Sequence, residues 1–158
     1  MTELQFLQKA VPYPGIAFRY KGEYVVIVPA LPLGPLEEYD TKMASMKAPP
    51  GPTLPKAPGI AATPDEVSAY QQDTAKWRED DAAHDVQMRE FGIQVREVQM
   101  SFIIRAIERN YPEFPKDILD DFITYDNIDA LRKAAIGHGP RDSQRVQSPG
   151  ELKPGTKP

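Results

Sequence analysis

The sequence predicts a mainly α-helical protein with a small N-terminal β-hairpin, an α+β arrangement. A small helical domain surrounds one long central helix, with a proline-rich spacer before it and a disordered C-terminal tail after it. Three observations predict this. Placed on a helix at about 100° per residue, Ile93–Arg109 puts Gln94, Glu97, Ser101, Arg105 and Glu108 on one narrow polar sector. Val95, Val98, Phe102 and Ala106 form one apolar stripe, and Ile93, Met100, Ile103, Ile104 and Ile107 form a second. An ordinary surface helix buries one stripe, so this one requires cover on two sides. Second, β-branched and aromatic residues flank Lys21-Gly22 between Ile16 and Val28, the pattern of a hairpin. Third, the 17 prolines cluster outside the periodic segments, so the folded part is expected nearer ~100 residues than the full 158. The expected organisation is hairpin plus short helix in 1–47 and a proline-rich spacer in 48–63. The long helix and a C-terminal bundle in 64–137 are expected to join 1–47 as one domain, with 138–158 disordered.

In the hairpin, Ile16, Phe18 and Tyr20 alternate on one face, as do Tyr24, Val26 and Val28, and Gly22 supplies the positive φ of a tight turn. An isolated hairpin is marginal in water, so one face has to lie on something apolar, for which the long helix is the candidate. Pro29 and Pro32 then stop strand pairing. Pro35 fits the first turn of a helix, and Glu37 and Glu38 lie near the positive end of its dipole. Leu36, Tyr39, Met43 and Met46 recur at helical spacing, which predicts a short helix from Pro35 to Lys47. Ala48–Thr63 has no hydrophobic period and reads as an extended spacer rather than a site, a PxxP ligand being the minor alternative.

Thr63-Pro64-Asp65-Glu66 is a helix start, with Thr63 as cap, Pro64 in the first position and Glu66 reaching back. No proline follows until Pro112, and a continuous helix from Pro64 to Arg109 would run about 70 Å. Its heptad seam, through Val67, Tyr70, Thr74, Trp77, Asp81, His84, Met88, Phe91, Val95, Val98 and Phe102, has a polar gap at Asp81 and His84. A break near Asp80–Asp85 or at Gly92 is the alternative to the continuous helix favoured here. Arg109-Asn110-Tyr111-Pro112 ends it, with a cation in the last turn, Asn110 as a left-handed cap and a proline beyond. After Pro115, the spacing of Ile118, Leu119, Phe122 and Ile123 marks one short helix. Asp126 or Asn127 caps the next, which carries Ile128, Leu131 and Ala135 on one face, an Asp129–Lys133 pair, and Gly137 as its C-terminal cap. These two helices are expected to cover the second apolar side of the long one. From His138 the chain is glycine, proline, serine and charge, and ordering it costs roughly 1–2 kcal/mol per residue with little to bury.

Composition narrows the function. A formal charge of −4 with scattered signs offers no basic stripe for phosphates, which argues against a nucleic-acid partner. Without cysteine there is no thiolate metal site or thiol nucleophile. The longest apolar run, Tyr24–Leu33, contains two prolines and is too short to span a bilayer, so no membrane partner is expected. MTELQFLQKA lacks a basic leader followed by an apolar core, so no secretion signal is expected and the cytoplasm is the default.

Residues able to hold a metal or move protons cluster only in Glu79–Asp85. Asp80 and His84 lie one helical turn apart and could face one ion, but a catalytic site needs a third ligand, and His138 sits at the edge of the tail. A solvated charged face is the preferred reading, with no metal, no cofactor and no catalytic residue. Neither a glycine-rich phosphate loop nor a nucleophile elbow is present. Ser45, Ser68, Ser101, Ser143 and Ser148 have no base placed beside them by their context. Trp77 reads as a packing anchor before a binding hot spot. The chain therefore reads as a binding or scaffolding protein, not an enzyme. A small metal-dependent enzyme would rest on Asp80 and His84 alone.

Two stretches carry a resemblance. The first is Tyr24-Val25-Val26-Ile27-Val28-Pro29-Ala30-Leu31-Pro32-Leu33-Gly34-Pro35-Leu36-Glu37. The second is Ala106-Ile107-Glu108-Arg109-Asn110-Tyr111-Pro112, followed by Ile118-Leu119-Asp120-Asp121, Asp126-Asn127 and Ala134-Ala135-Ile136-Gly137. In this order the chain resembles the tail assembly chaperones of long-tailed bacteriophages. The likeness spans Gly15–Lys47 and Ile93–Gly137, and neither the proline-rich spacer nor Asp65–Arg89 has a counterpart in it. The resemblance implies a non-catalytic protein of the host cytoplasm that binds the tape measure protein and keeps it soluble for tail tube assembly. It also implies a frameshifted longer form of the chain and the major tail tube protein as partners, and absence from the finished virion. Leu31, Leu33, Leu36, Tyr39, Met43 and Met46 are the candidate partner-binding residues, an apolar surface able to accept an amphipathic client helix. Methionines would let it accept many segments, although the same stripe also reads as core filler. The interrupted heptad seam allows a homo-oligomer. A structural tail or head–tail connector subunit of the virion is the alternative.

Overall fold

The computed structural model describes residues 4–138 and 145–151. The chain is mainly helical, 58 %, with one antiparallel hairpin near its N-terminus and a long central helix. In order, the elements are a 3-10 turn Gln5–Gln8, β1 (Ile16–Tyr20), β2 (Tyr24–Val28), α1 (Leu33–Ser45), α2 (Pro64–Asn110), α3 (Lys116–Phe122), α4 (Ile128–Ile136) and a 3-10 turn Pro149–Glu151. Two compact units divide it, one of Met1–Met43 with Glu97–Pro158 and one of Ala44–Arg96. The expected boundaries kept all of 64–137 with 1–47. Instead α2 is shared, and its residues up to Arg96 group with the proline-rich segment.

In the first unit, β1 and β2 pair from Ile16↔Val28 to Tyr20↔Tyr24. Lys21 at φ 49° and Gly22 at φ 78° turn the chain, both in the left-handed region. Glycine adopts it freely, whereas lysine does so at a cost of about 1–2 kcal/mol. Arg19 is the only exposed residue of the two strands, so the hairpin is covered on both faces and not on one. The continuous apolar run of β2 is what two-sided burial demands. The elements whose backbones come nearest β2 are the Gln5–Gln8 turn and α4, not the long helix that the alternation suggested.

Beyond β1, Gly15 and Val146 form a single antiparallel bridge, with N–H to O distances of 3.0 and 2.8 Å. Val11 N–H donates to Gln147 O at 2.9 Å, and Val146 is buried. The expectation of a disordered 138–158 is therefore corrected for Arg145–Glu151. One buried aliphatic and three backbone hydrogen bonds offset part of the entropy of ordering that stretch. Gly139–Gln144 and Leu152–Pro158 lie outside the described residues.

The core gathers on the last third of α2. Phe102, Ile103, Ala106 and Ile107 are buried, Val98, Met100 and Ile104 half-buried, and Ile93, in the other unit, is 54 % exposed. Leu119 and Phe122 of α3 and Leu131, Ala134 and Ala135 of α4 complete it. Both apolar sides of this segment are covered, but cover begins only near Val98. Asn127 precedes α4 without capping it. Its Oδ1 accepts Thr124 N–H at 2.7 Å and its Nδ2 donates to Phe122 O at 2.7 Å, which closes the α3–α4 corner. Gly137, at φ 90°, ends α4 with Gly137 N–H on Ala134 O and His138 N–H on Lys133 O. The helix α1 starts two residues before the expected Pro35, because Leu36 N–H reaches Pro32 O at 3.2 Å, and it stops before Met46.

In the second unit, α2 opens on a reciprocal cap. Thr63 N–H donates to Glu66 Oε2 and Glu66 N–H to Thr63 Oγ1, each at 3.2 Å. The helix then passes unbroken through Asp80–Asp85 and Gly92.

Candidate functional site

Three groups of residues could carry function, and the first is structural. The resemblance rests partly on Arg109-Asn110-Tyr111, and the structure shows what these residues do. Asn110 is not a left-handed cap. It lies within α2 and is buried, with Oδ1 accepting Tyr13 N–H at 3.0 Å while Nδ2 donates to Tyr13 O at 2.9 Å and Ile27 O at 3.0 Å. Tyr111 OH accepts Ile27 N–H at 2.9 Å. Two consecutive side chains thus satisfy both backbone groups that Ile27 turns away from β1. Burial pushes the Tyr111 phenol up to about 12 from 10.0. Arg109 donates to Ala30 O at 2.8 Å and stacks its guanidinium 3.9 Å from the centre of the Tyr13 ring.

The second group is the candidate partner stripe, which the fold splits. Leu31 is 4 % and Tyr39 9 % exposed, so both belong to the core. Tyr39 stacks on Phe102, ring centres 4.1 Å apart and planes 18° apart, and burial raises its phenol pKa. Leu36 and Met43 are half-buried against that core. Leu33, 69 % exposed, is the large apolar side chain that α1 leaves in water. Met46, half-buried, belongs to the other unit. Arg105 and Glu38 bridge α2 and α1 at 2.7 Å on the exposed side.

The third group lies in the second unit, and sequence reading missed it. Residues 46–59 form neither helix nor strand, yet Met46, Pro49, Pro52, Pro55 and Pro58 are half-buried and the residues between them exposed. A period of three is that of a polyproline II helix. Opposite them, His84 Nε2 donates to Pro49 O at 3.0 Å and Trp77 Nε1 to Pro52 O at 3.4 Å. Gly51 lies against the His84 ring, where a Cβ would stand 3.4 Å from Cε1. Three polyproline II residues rise about 9.3 Å and seven α-helical residues about 10.5 Å, so each strap turn advances nearly one heptad of α2. The order of these two contacts makes the strap antiparallel to the helix, and continuing the same step would bring Pro55 level with Tyr70 and Met46 level with Phe91, four residues that are each half-buried. The expectation of a free spacer is corrected: the segment is docked. Its signal was present as prolines every third residue and seam aromatics every seventh, but neither period alone pairs the two.

Asp81, His84 and Asp85 offer three ligand atoms within 4.8 Å of one another. Asp80, the partner expected for His84, is exposed and outside this group. With Nε2–H donated to Pro49 O, His84 has Nδ1 left to offer. No helix among the described residues is long and apolar enough to cross a membrane. Comparison of the chain with protein-family models, with curated proteins and with solved structures finds no match.

Proposed function

We propose that the protein is a tail assembly chaperone of a long-tailed phage, a non-catalytic adaptor that binds the tape measure protein in the host cytoplasm and keeps it soluble for tube assembly. One observation carries this reading. The two stretches that prompt the resemblance meet in one unit, where Arg109, Asn110 and Tyr111 of the second bond Ala30 and Ile27 of the first. Residues far apart in the chain thus form one scaffold, from which α1 presents Leu33 to solvent beside half-buried Leu36. An apolar side chain held out by a rigid helix suits the capture of an amphipathic client segment.

The experiment is co-expression with the tape measure protein of the same phage, reading the soluble fraction of the client. Leu33→Asp tests the surface without touching the core, and Leu36→Asp extends it. Client solubility should rise with the wild-type chain and fall with Leu33→Asp while circular dichroism stays unchanged; Leu36→Asp, at a side chain half-buried against the core, should lower client solubility further and also cost some stability. No effect of the wild-type chain on the client removes the chaperone reading. Recovery of the chain in purified virions assigns it instead as a structural tail or connector subunit.

A further inference from the structure

We propose that the α2 face bearing Tyr70, Trp77, His84 and Phe91 is a binding surface for extended, proline-rich polypeptide, occupied in cis by the chain's own residues 46–58. Backbone N–H groups inside an α-helix are consumed by its own ladder, so a helix can meet an extended ligand's carbonyls only through side-chain donors. Trp77 Nε1–H and His84 Nε2–H are such donors, and they fall on Pro52 O and Pro49 O, three residues apart. The ligand side matches. Polyproline II makes no internal hydrogen bonds, so its carbonyls remain free to accept, and prolines bring no N–H that docking would strand.

Charge is complementary as well. Residues 64–90 carry eight carboxylates against three Lys and Arg, whereas 46–58 carries Lys47 and Lys56 and no acid. A mere spacer would leave its prolines in water; here one residue in three turns inward. The strap has no ladder of its own, so it opens at the low end of the local stability scale and exchanges with a like segment in trans. The mismatch of about 1.2 Å per repeat limits such a ligand to a few turns.

Trp77 is the only tryptophan of the chain and reports directly on the surface. In the full-length protein, substituting Pro49→Gly, Pro52→Gly and Pro55→Gly together loosens the strap. Trp77 emission should move to longer wavelength and become more accessible to acrylamide. A synthetic peptide with the sequence of residues 46–58 should then restore the wild-type spectrum saturably, and less well at high salt. The same peptide with glycine at those three positions should not. Circular dichroism at 222 nm follows in parallel, and any helicity lost in the variant should return with the proline peptide. An emission spectrum unchanged by the triple substitution overturns the proposal. So does a changed spectrum or lost helicity that the proline peptide leaves as it is, or that the glycine peptide restores equally.

Discussion

Replacing Asn110 is the sharpest test of how the hairpin is held. Asn110→Ala removes one acceptor and two donors from a site where Asn110 itself is 6 % exposed. Ile27 is fully buried, so its carbonyl loses its partner with no water to replace it, at about 1–3 kcal/mol. Tyr13 is 42 % exposed, and water can reach its backbone groups, which adds about 1 kcal/mol. The sum, about 3 kcal/mol, is a large share of the stability of an ordinary domain. Asn110→Asp separates hydrogen bonding from packing. The introduced carboxyl keeps the shape of the amide but offers a donor only when protonated, so the folded state raises its pKa above the unfolded value of about 3.9. Stability is then retained below about pH 4 and falls as pH rises through the folded-state pKa. Urea titrations followed by circular dichroism between acid and neutral pH measure both effects. An alanine variant within about 0.5 kcal/mol of wild type, or an aspartate deficit independent of pH, would refute the reasoning.

Three further outcomes are expected. Because burial raises the Tyr111 phenol to about 12 from 10.0, its own contribution to stability is intact below about pH 10 and falls by roughly 3 kcal/mol towards pH 12, beside that of Tyr20, which is raised likewise. Tyr111→Phe should flatten that alkaline fall and cost about 1–3 kcal/mol at neutral pH, since Ile27 N–H loses its acceptor; equal alkaline slopes in paired denaturation series would contradict it. Gly92→Ala should stabilise α2 by about 0.5–1 kcal/mol, because a Cβ there meets nothing within 4 Å, and a lowered helix melting midpoint would count against the unbroken helix. Gly15→Ala should destabilise by about 3 kcal/mol or abolish folding, because its Cβ would lie 2.2 Å from Val28 O, a backbone atom that cannot turn aside; wild-type stability by urea titration would deny that close approach.

Elements bounded by local chemistry were legible. The reciprocal Thr63–Glu66 cap, the left-handed Gly137 and the hairpin around Gly22 each follow from a few adjacent residues, as did the continuity of α2. The candidate stripe was legible only as a period. Helical spacing put Leu36, Tyr39, Met43 and Met46 on one face, but could not say that Tyr39 meets Phe102 while Leu33 meets water. Asn110 was misread for a related reason: asparagine near a helix end suits a left-handed cap, and only the arrival of Tyr13 and Ile27 from far along the chain gives it other work.

Taken alone, then, the order of residues determined where the long helix starts, that it runs unbroken, where α4 ends, which segments are apolar, and that prolines recur every third residue and seam rings every seventh. Those depend on contacts within a turn or two of the chain, whose energetics a short window contains. That the hairpin is covered on both faces, that Val146 returns to Gly15, and that the proline strap lies against Trp77 and His84 were decided by the tertiary structure. Such pairings join residues tens of positions apart, and their gain exceeds the cost of closing the intervening loop only when the whole unit assembles.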